Sequence, residues 1–149
     1  MADYYLDTSA LVKRYAREVG TLWVLDLIES GNNICIAGIT GPEIIAAFHR
    51  KARQGEISGE AAAQASENFK EDYRGAYQIV EISQDLIDSA MALAETHNLR
   101  GYDAVQLAAA MRLKNPGGIN DLIFVSADIN LNAAAGSEGM VTDNPNDHP

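Results

Sequence analysis

The amino-acid sequence predicts an α/β protein: a three-layer α/β/α arrangement in which a central, mostly parallel sheet of four or five strands lies between layers of helices. Three observations carry that expectation. Short apolar segments rich in strand formers alternate with longer stretches of helical periodicity. Parallel neighbours need crossover connections, which the intervening helices supply. A sheet built this way is covered on both faces, which suits its apolar strands.

Taken in order, "DYYLD" (3–7) reads as a strand, followed by helices over roughly 9–17 and 20–30. "NICIAG" (33–38) is a second strand, and "TGPEIIAAFHRKARQG" (40–55) a helix stopped by Gly55. Residues 58–73, Ala-rich and polar, form a helix with one exposed face, and "YQIVEI" (77–82) is a third strand. Ser83 opens a helix over 83–97 with Asp85 in its first turn and Leu86, Ala90, Leu93 and Ala94 along one stripe. "GYDAVQLAAAMRLK" (101–114) places Ala104, Leu107, Ala108 and Met111 on another stripe, and "NPGG" closes that helix. "DLIFVSAD" (121–128) is a fourth strand, 129–138 a short helix and "MVT" (140–142) a fifth, edge strand. A single domain over 1–143 follows, with 144–149 expected as a disordered tail.

Composition narrows the function. The chain has 149 residues, 47% hydrophobic and 21% charged, the balance of an ordinary globular domain. No run approaches the ~18 apolar residues of a membrane span, and Asp3 stands where a secretory signal wants positive charge, so a cytoplasmic protein without a membrane partner is expected. A single cysteine, Cys35 in apolar "NICIAG", gives no internal disulfide and no multi-cysteine metal site; it reads as core filler. The charge of -10, 21 acids against 11 bases, argues against a broad basic face for nucleic acid. It leaves room for an enzyme whose bound divalent cations invert the local potential, and it favours a basic protein partner.

In a parallel sheet, function gathers outside the carboxyl ends of the strands. Asp7 ends the first strand, Glu43 and Asp103 lie in first turns of helices, and Asp128 ends the fourth strand. All four are expected at one edge, with Thr8, Ser9, Thr40 and Ser126 as small hydroxyls able to orient a carboxylate. Each acid also has a local explanation: "TGPE" is a capping box with Thr40 as N-cap and Glu43 reaching back, Asp103 suits the positive end of a helix dipole, and Asp7 and Asp128 suit turns or N-caps. Four converging carboxylates repel one another unless a cation sits between them. Mg²⁺ suits an all-oxygen cluster, and such a site can activate water and stabilise the leaving oxygen of a phosphodiester. His49 does not share a helical face with Glu43, His97 sits at a helix end and His148 in the tail, and no glycine-rich phosphate loop follows a strand.

"YYLDTSALVKRY", "GPEIIAAFHRK", "LRGYDAVQLAAAM" and "FVSADINLNAAA" resemble, in order and approximate spacing, the four acidic motifs of PIN-domain ribonucleases, most closely the VapC toxins of type II toxin-antitoxin pairs. The resemblance implies a PIN-like fold and a Mg²⁺- or Mn²⁺-dependent endoribonuclease acting on RNA, with Asp7, Glu43, Asp103 and Asp128 forming the acidic pocket. It implies Asp7 and Asp103 as metal positions and Ser9 as a lining hydroxyl. It also implies a homodimer silenced by a small antitoxin with a basic or aromatic C-terminal segment. The family often has basic residues after the last acid, where this chain has "DINLN", which leaves Lys13 and Arg100 as the candidate phosphate contacts. Two other readings compete: a non-catalytic module whose acidic pocket captures a basic peptide, and a phosphatase with Asp7 as nucleophile. The latter chemistry wants a second Asp two residues on, where Ser9 stands.

Overall fold

The structure, a computed structural model, describes all 149 residues. Five strands, β1 (Asp3–Leu6), β2 (Asn33–Ala37), β3 (Gln78–Val80), β4 (Ile123–Val125) and β5 (Val141–Asp143), form one sheet in the order β3-β2-β1-β4-β5. Every pairing is parallel. Seven helices complete the chain: α1 (Thr8–Tyr15), α2 (Thr21–Glu29), α3 (Thr40–Arg53), α4 (Gly59–Tyr73), α5 (Gln84–His97), α6 (Gly101–Lys114) and α7 (Ile129–Ser137).

The two-residue period of the strands divides the core into two. Leu6, Ile34, Ile36 and Val125 face α1–α4 and pack with Leu11, Ile44, Phe48 and Phe69. Tyr5, Cys35, Ala37 and Phe124 face the other way, onto α5–α7. Register fixes this division, since Tyr5 lies opposite both Cys35 and Phe124, and the Tyr5 and Phe124 rings stack at 5.5 Å. Burial pushes the Cys35 thiol up to about 11, consistent with a core residue.

Most elements match their sequence signals. Ser83 caps α5 by accepting from the Leu86 amide, and Gly55 follows the end of α3 with φ +75°. The Gly117 and Gly118 amides bond back to Arg112 and Lys114, closing α6. The apolar stripe read for α6 was too narrow: Ala104, Val105, Gln106, Leu107, Ala108, Ala109, Ala110 and Leu113 are all buried, while Met111 is only partly so. This helix packs against α5, α7 and the sheet at once, so it is buried on nearly all sides.

Two local expectations are corrected. Residues 144–149, expected as a disordered tail, carry a 3-10 turn over Pro145–Asp147. Pro145 is buried, and the His148 ring stacks on Trp23 at 4.3 Å while its Nε2 lies 2.9 Å from Asp143. An indole face and a carboxylate anchor give the tail contacts that its polar sequence does not advertise. The second correction is the Thr40–Glu43 capping box, which does not form. Ile39 is already helical at φ −65° and ψ −20°, so Thr40 sits inside the first turn, and Glu43 turns to other donors described below.

Gly20 shows how closely the tail packs: its φ is +88°, and a Cβ there would stand 2.4 Å from the Pro145 carbonyl oxygen. Gly20→Ala is therefore expected to cost about 1–3 kcal/mol from the backbone alone, plus the displaced tail, and to lower Tm by several degrees. In a chain ending at Asp143 the same substitution is expected to cost less; calorimetry on both backgrounds checks it.

Candidate active site

The strand order reverses direction at β1, whose successor β2 lies on one side and β4 on the other, and the carboxyl ends there open a cavity of about 650 Å³. Asp7, Glu43, Asp103 and Asp128 all line it, as do Ser9, Lys13 and Arg100. No histidine does.

Asp7 follows β1 directly, held by its amide bonding the Val125 carbonyl at 3.1 Å. It is only 4% exposed. Its Oδ1 accepts from Ser9 Oγ (2.7 Å) and the Ala10 amide (3.0 Å), so the side chain caps α1. Oδ2 accepts from Ser126 Oγ at 2.6 Å. Burial pushes its carboxyl up to about 6, against the pull of these three donors, and the Asp103 charge adds to the rise.

Glu43 Oε1 accepts from Gln106 Nε2 (2.7 Å) and Thr8 Oγ1 (3.0 Å), leaving Oε2 free of protein donors. Burial raises its pKa, and the Asp103 charge contributes. Asp103, in the first turn of α6, accepts no hydrogen bond from the protein; burial raises its pKa, with Asp128 adding to the rise and Arg100 opposing it. Asp128 caps α7 through Oδ1, which accepts from the Asn130 (2.9 Å) and Leu131 (3.1 Å) amides, while Oδ2 faces Arg100. The capping and turn roles anticipated for Asp7 and Asp128 thus coexist with places on the cavity wall.

The four carboxylates ring the cavity rather than meeting at a point: no three Asp, Glu, His or Cys side chains come close enough to hold one ion between them. Arg100, 86% exposed, reaches across the mouth with Nε 3.6 Å from Asp103 and Nη2 3.9 Å from Asp128. Lys13 is buried and its Nζ lies 3.0 Å from Glu18, so its charge is already engaged. The donor set is carboxylate and hydroxyl oxygen without thiol or imidazole, which fits a hard cation that keeps several waters.

Gln106 escaped the sequence reading. It is 2% exposed, and its amide nitrogen lies within hydrogen-bond reach of Thr40 (3.1 Å), Thr8 (3.2 Å) and Glu43 (2.7 Å), while its carbonyl accepts from the Tyr5 hydroxyl at 2.5 Å. The available signal was an uncharged polar residue inside "AVQLAAAM", three residues after Asp103 and so on nearly the same helical face. Arg50, Lys51 and Tyr102 also line the cavity and were not anticipated.

Fold and site together define a PIN-domain protein: residues 4–136 match the PIN domain family, and the chain belongs to it. Within that family it is 31% identical over 135 residues to Ribonuclease VapC45 and, equally, to Ribonuclease VapC49 of Mycobacterium tuberculosis, covering 91% of this chain and 90% of each relative. The fold is shared with PAE2754 from Pyrobaculum aerophilum (21% identity, TM-score 0.64, covering 95% of this chain and 89% of that one). It is shared too with a toxin-antitoxin complex from Klebsiella pneumoniae (20% identity, TM-score 0.58, covering 85% and 87%).

Two outcomes follow from this geometry. A folded pKa near 6 against an ordinary 3.8 means that folding favours the neutral form of Asp7, so its contribution is fully present below 3.8 and lost as pH rises through about 6. Asp7→Asn keeps an N-cap acceptor without the buried charge. In EDTA its Tm is expected to match wild type near pH 4 and exceed it by several degrees near pH 7.5, on the order of 2 kcal/mol. Separately, Gln106→Leu orphans the Tyr5 hydroxyl and removes a donor from Glu43, an expected loss of about 2–4 kcal/mol in urea unfolding. Adding Tyr5→Phe is expected to recover part of it.

Proposed function

We propose that the protein is a divalent-metal-dependent endoribonuclease that hydrolyses single-stranded or loop RNA as the toxin of a toxin-antitoxin pair. The observation that carries this reading is the ring of four carboxylates around one cavity at the carboxyl edge of the sheet. Similarity to two proteins named Ribonuclease VapC supports it. Asp7 and Asp103 are the proposed metal-holding residues, with Glu43 and Asp128 orienting water or a second ion. Mg²⁺ or Mn²⁺ there would supply Lewis acidity toward water and the phosphodiester and neutralise charge on the leaving oxygen.

The chain's own residues do the positioning. Ser9 and Ser126 hold the Asp7 carboxylate from opposite oxygens, and Gln106 with Thr8 fixes Oε1 of Glu43, which leaves Oε2 without a protein donor. Arg100, exposed and within 4 Å of two acids, is the proposed contact for the scissile phosphate. Lys13 is assigned instead to holding Glu18.

Silencing by a small antitoxin is the second part of the proposal. An apolar groove of about 920 Å³ runs between α3 and α4, lined by Ile45, Phe69 and Tyr73, and it shares Pro42 and Ala46 with the acidic cavity. A partner segment with an aromatic or apolar stretch followed by basic residues fits that continuity, its apolar part in the groove and its cationic end among the carboxylates. One solved structure of this fold is named a toxin-antitoxin complex, from Klebsiella pneumoniae, and another is named VapBC2, from Rickettsia felis. No helix is long and apolar enough to cross a membrane, and a cytoplasmic homodimer is the proposed free form.

The test is cleavage of a short oligoribonucleotide with Mn²⁺ or Mg²⁺. Wild type is expected to cut and to stop when chelator is added, while Asp7→Asn and Asp103→Asn lose at least about a hundredfold in kcat, the scale of removing one key electrostatic group. Equal cleavage by all three proteins would falsify the assignment. Capture of a basic peptide with no cleavage under any metal would instead support a binding module.

A further inference from the structure

The cavity has two ends of opposite sign, although the chain as a whole carries -10. Glu43, Ala46, Ala47 and Arg50 of α3 all line it, the i, i+3, i+4, i+7 spacing of a single helical face. Arg50 therefore lies two turns beyond Glu43, about 10 Å along the axis at ~1.5 Å per residue. It is exposed, and no carboxylate stands within ion-pair distance of it. Beside it, Lys13 and Lys51 converge on Glu18, two ammonium groups on one acid, and Lys51 has only the exposed Glu56 besides. No Lys or Arg stands among the residues after Asp128, Ile129 to Asn132, so apart from Arg100 at the acidic rim the cations lining the cavity are Lys13, Arg50 and Lys51 at the far wall.

At the other rim stands Tyr102, 64% exposed, next to Asp103 and lining the same cavity. Its ring is engaged with no other aromatic group. Exposed aromatic faces beside a cationic track are what single-stranded nucleic acid uses: bases stack, and phosphates pair with Arg.

Resting on the nuclease reading above, we propose that single-stranded RNA crosses this cavity with a base beside the scissile phosphate stacking on Tyr102 and a neighbouring phosphate pairing with Arg50. The distance between Glu43 and Arg50 then sets the register between the grip and the cut. Double-stranded RNA is excluded by the same geometry, because its bases present no free face to Tyr102.

The experiment pairs kinetics with binding. With a 5′-fluorescein 12-mer oligoribonucleotide and Mn²⁺, Arg50→Glu is expected to raise KM at least about tenfold while changing kcat less than about threefold, the signature of lost uniform binding. Arg50→Lys should stay near wild type, Tyr102→Ala should raise KM about tenfold, and Tyr102→Phe should restore it. Arg53→Glu, the same charge change on α3 away from the cavity lining, serves as the control. In the Asp103→Asn background, anisotropy against salt is expected to show a slope of log K on log salt shallower by about 0.7 for Arg50→Glu, one phosphate contact on a single strand.

If Arg50→Glu matches Arg53→Glu in KM and in salt slope, the proposed path is wrong even where wild type cuts RNA. If no protein cuts RNA yet the slope falls as expected, the path stands and the nuclease reading is what fails.

Discussion

Carboxylates resist being brought together and taken out of water, and the carboxyl edge of this sheet is organised around that resistance. Asp7 is almost completely enclosed, and Glu43 and Asp103 are half-buried; burial raises all three pKa values, the Asp103 charge raises Asp7 and Glu43 further, and the Asp128 charge raises Asp103. Each is held in place by a different device. Asp7 has two serine hydroxyls and a helix-end amide, Glu43 has a glutamine and a threonine, and Asp103 has a nearby guanidinium in solvent. Hydrogen bonds to the charged form offset the desolvation cost without removing it, which leaves an edge poised to gain from a cation.

Gln106 links that edge to both layers of the fold. From α6 it reaches Tyr5 on β1, Thr8 on α1, and Thr40 and Glu43 on α3. Its amide can donate only two hydrogen bonds at once, so the three acceptors around its nitrogen compete, and Glu43 at 2.7 Å is the nearest. The failure of the Thr40–Glu43 capping box has the same origin. A local cap and a long-range donor competed for one carboxylate, and the buried amide, in a medium of lower dielectric, prevailed.

That competition marks how far the sequence could be read. The parallel sheet, its edge strand β5, the order of elements and the location of four acids were legible because periodicity and strand-end position are local properties. The hydroxyls around Asp7 were legible too, since Ser9 lies two residues on and Ser126 directly follows β4. Gln106 was not, because its partners lie 63 to 101 residues away and no local pattern distinguishes it from a solvated glutamine. The docked tail was hidden for a like reason: "DNPNDHP" has the composition of a frayed end, and only Trp23 and Gly20, far upstream, give it a seat. The Lys13–Glu18 ion pair was hidden too, because Glu18 reaches Lys13 only after the chain turns between α1 and α2.

Net charge and the field inside the cavity are set by different groups. An excess of acids spread over the surface is screened within about 10 Å at ordinary ionic strength, whereas groups lining one cavity act at shorter range and lower dielectric. α3 carries both signs on one face, Glu43 at its start and Arg50 near its end, in the orientation its dipole favours, since an acid suits the N-terminus and a base the C-terminus. The helix that completes the acidic ring is therefore also the natural carrier of the opposing charge. A gradient from carboxylates to guanidinium along one wall draws a polyanion toward Arg50, and a cation among the acids would lower the repulsion it meets at the other end. On this reasoning the polarity of the site comes from one helix laid across the carboxyl edge rather than from the composition of the chain.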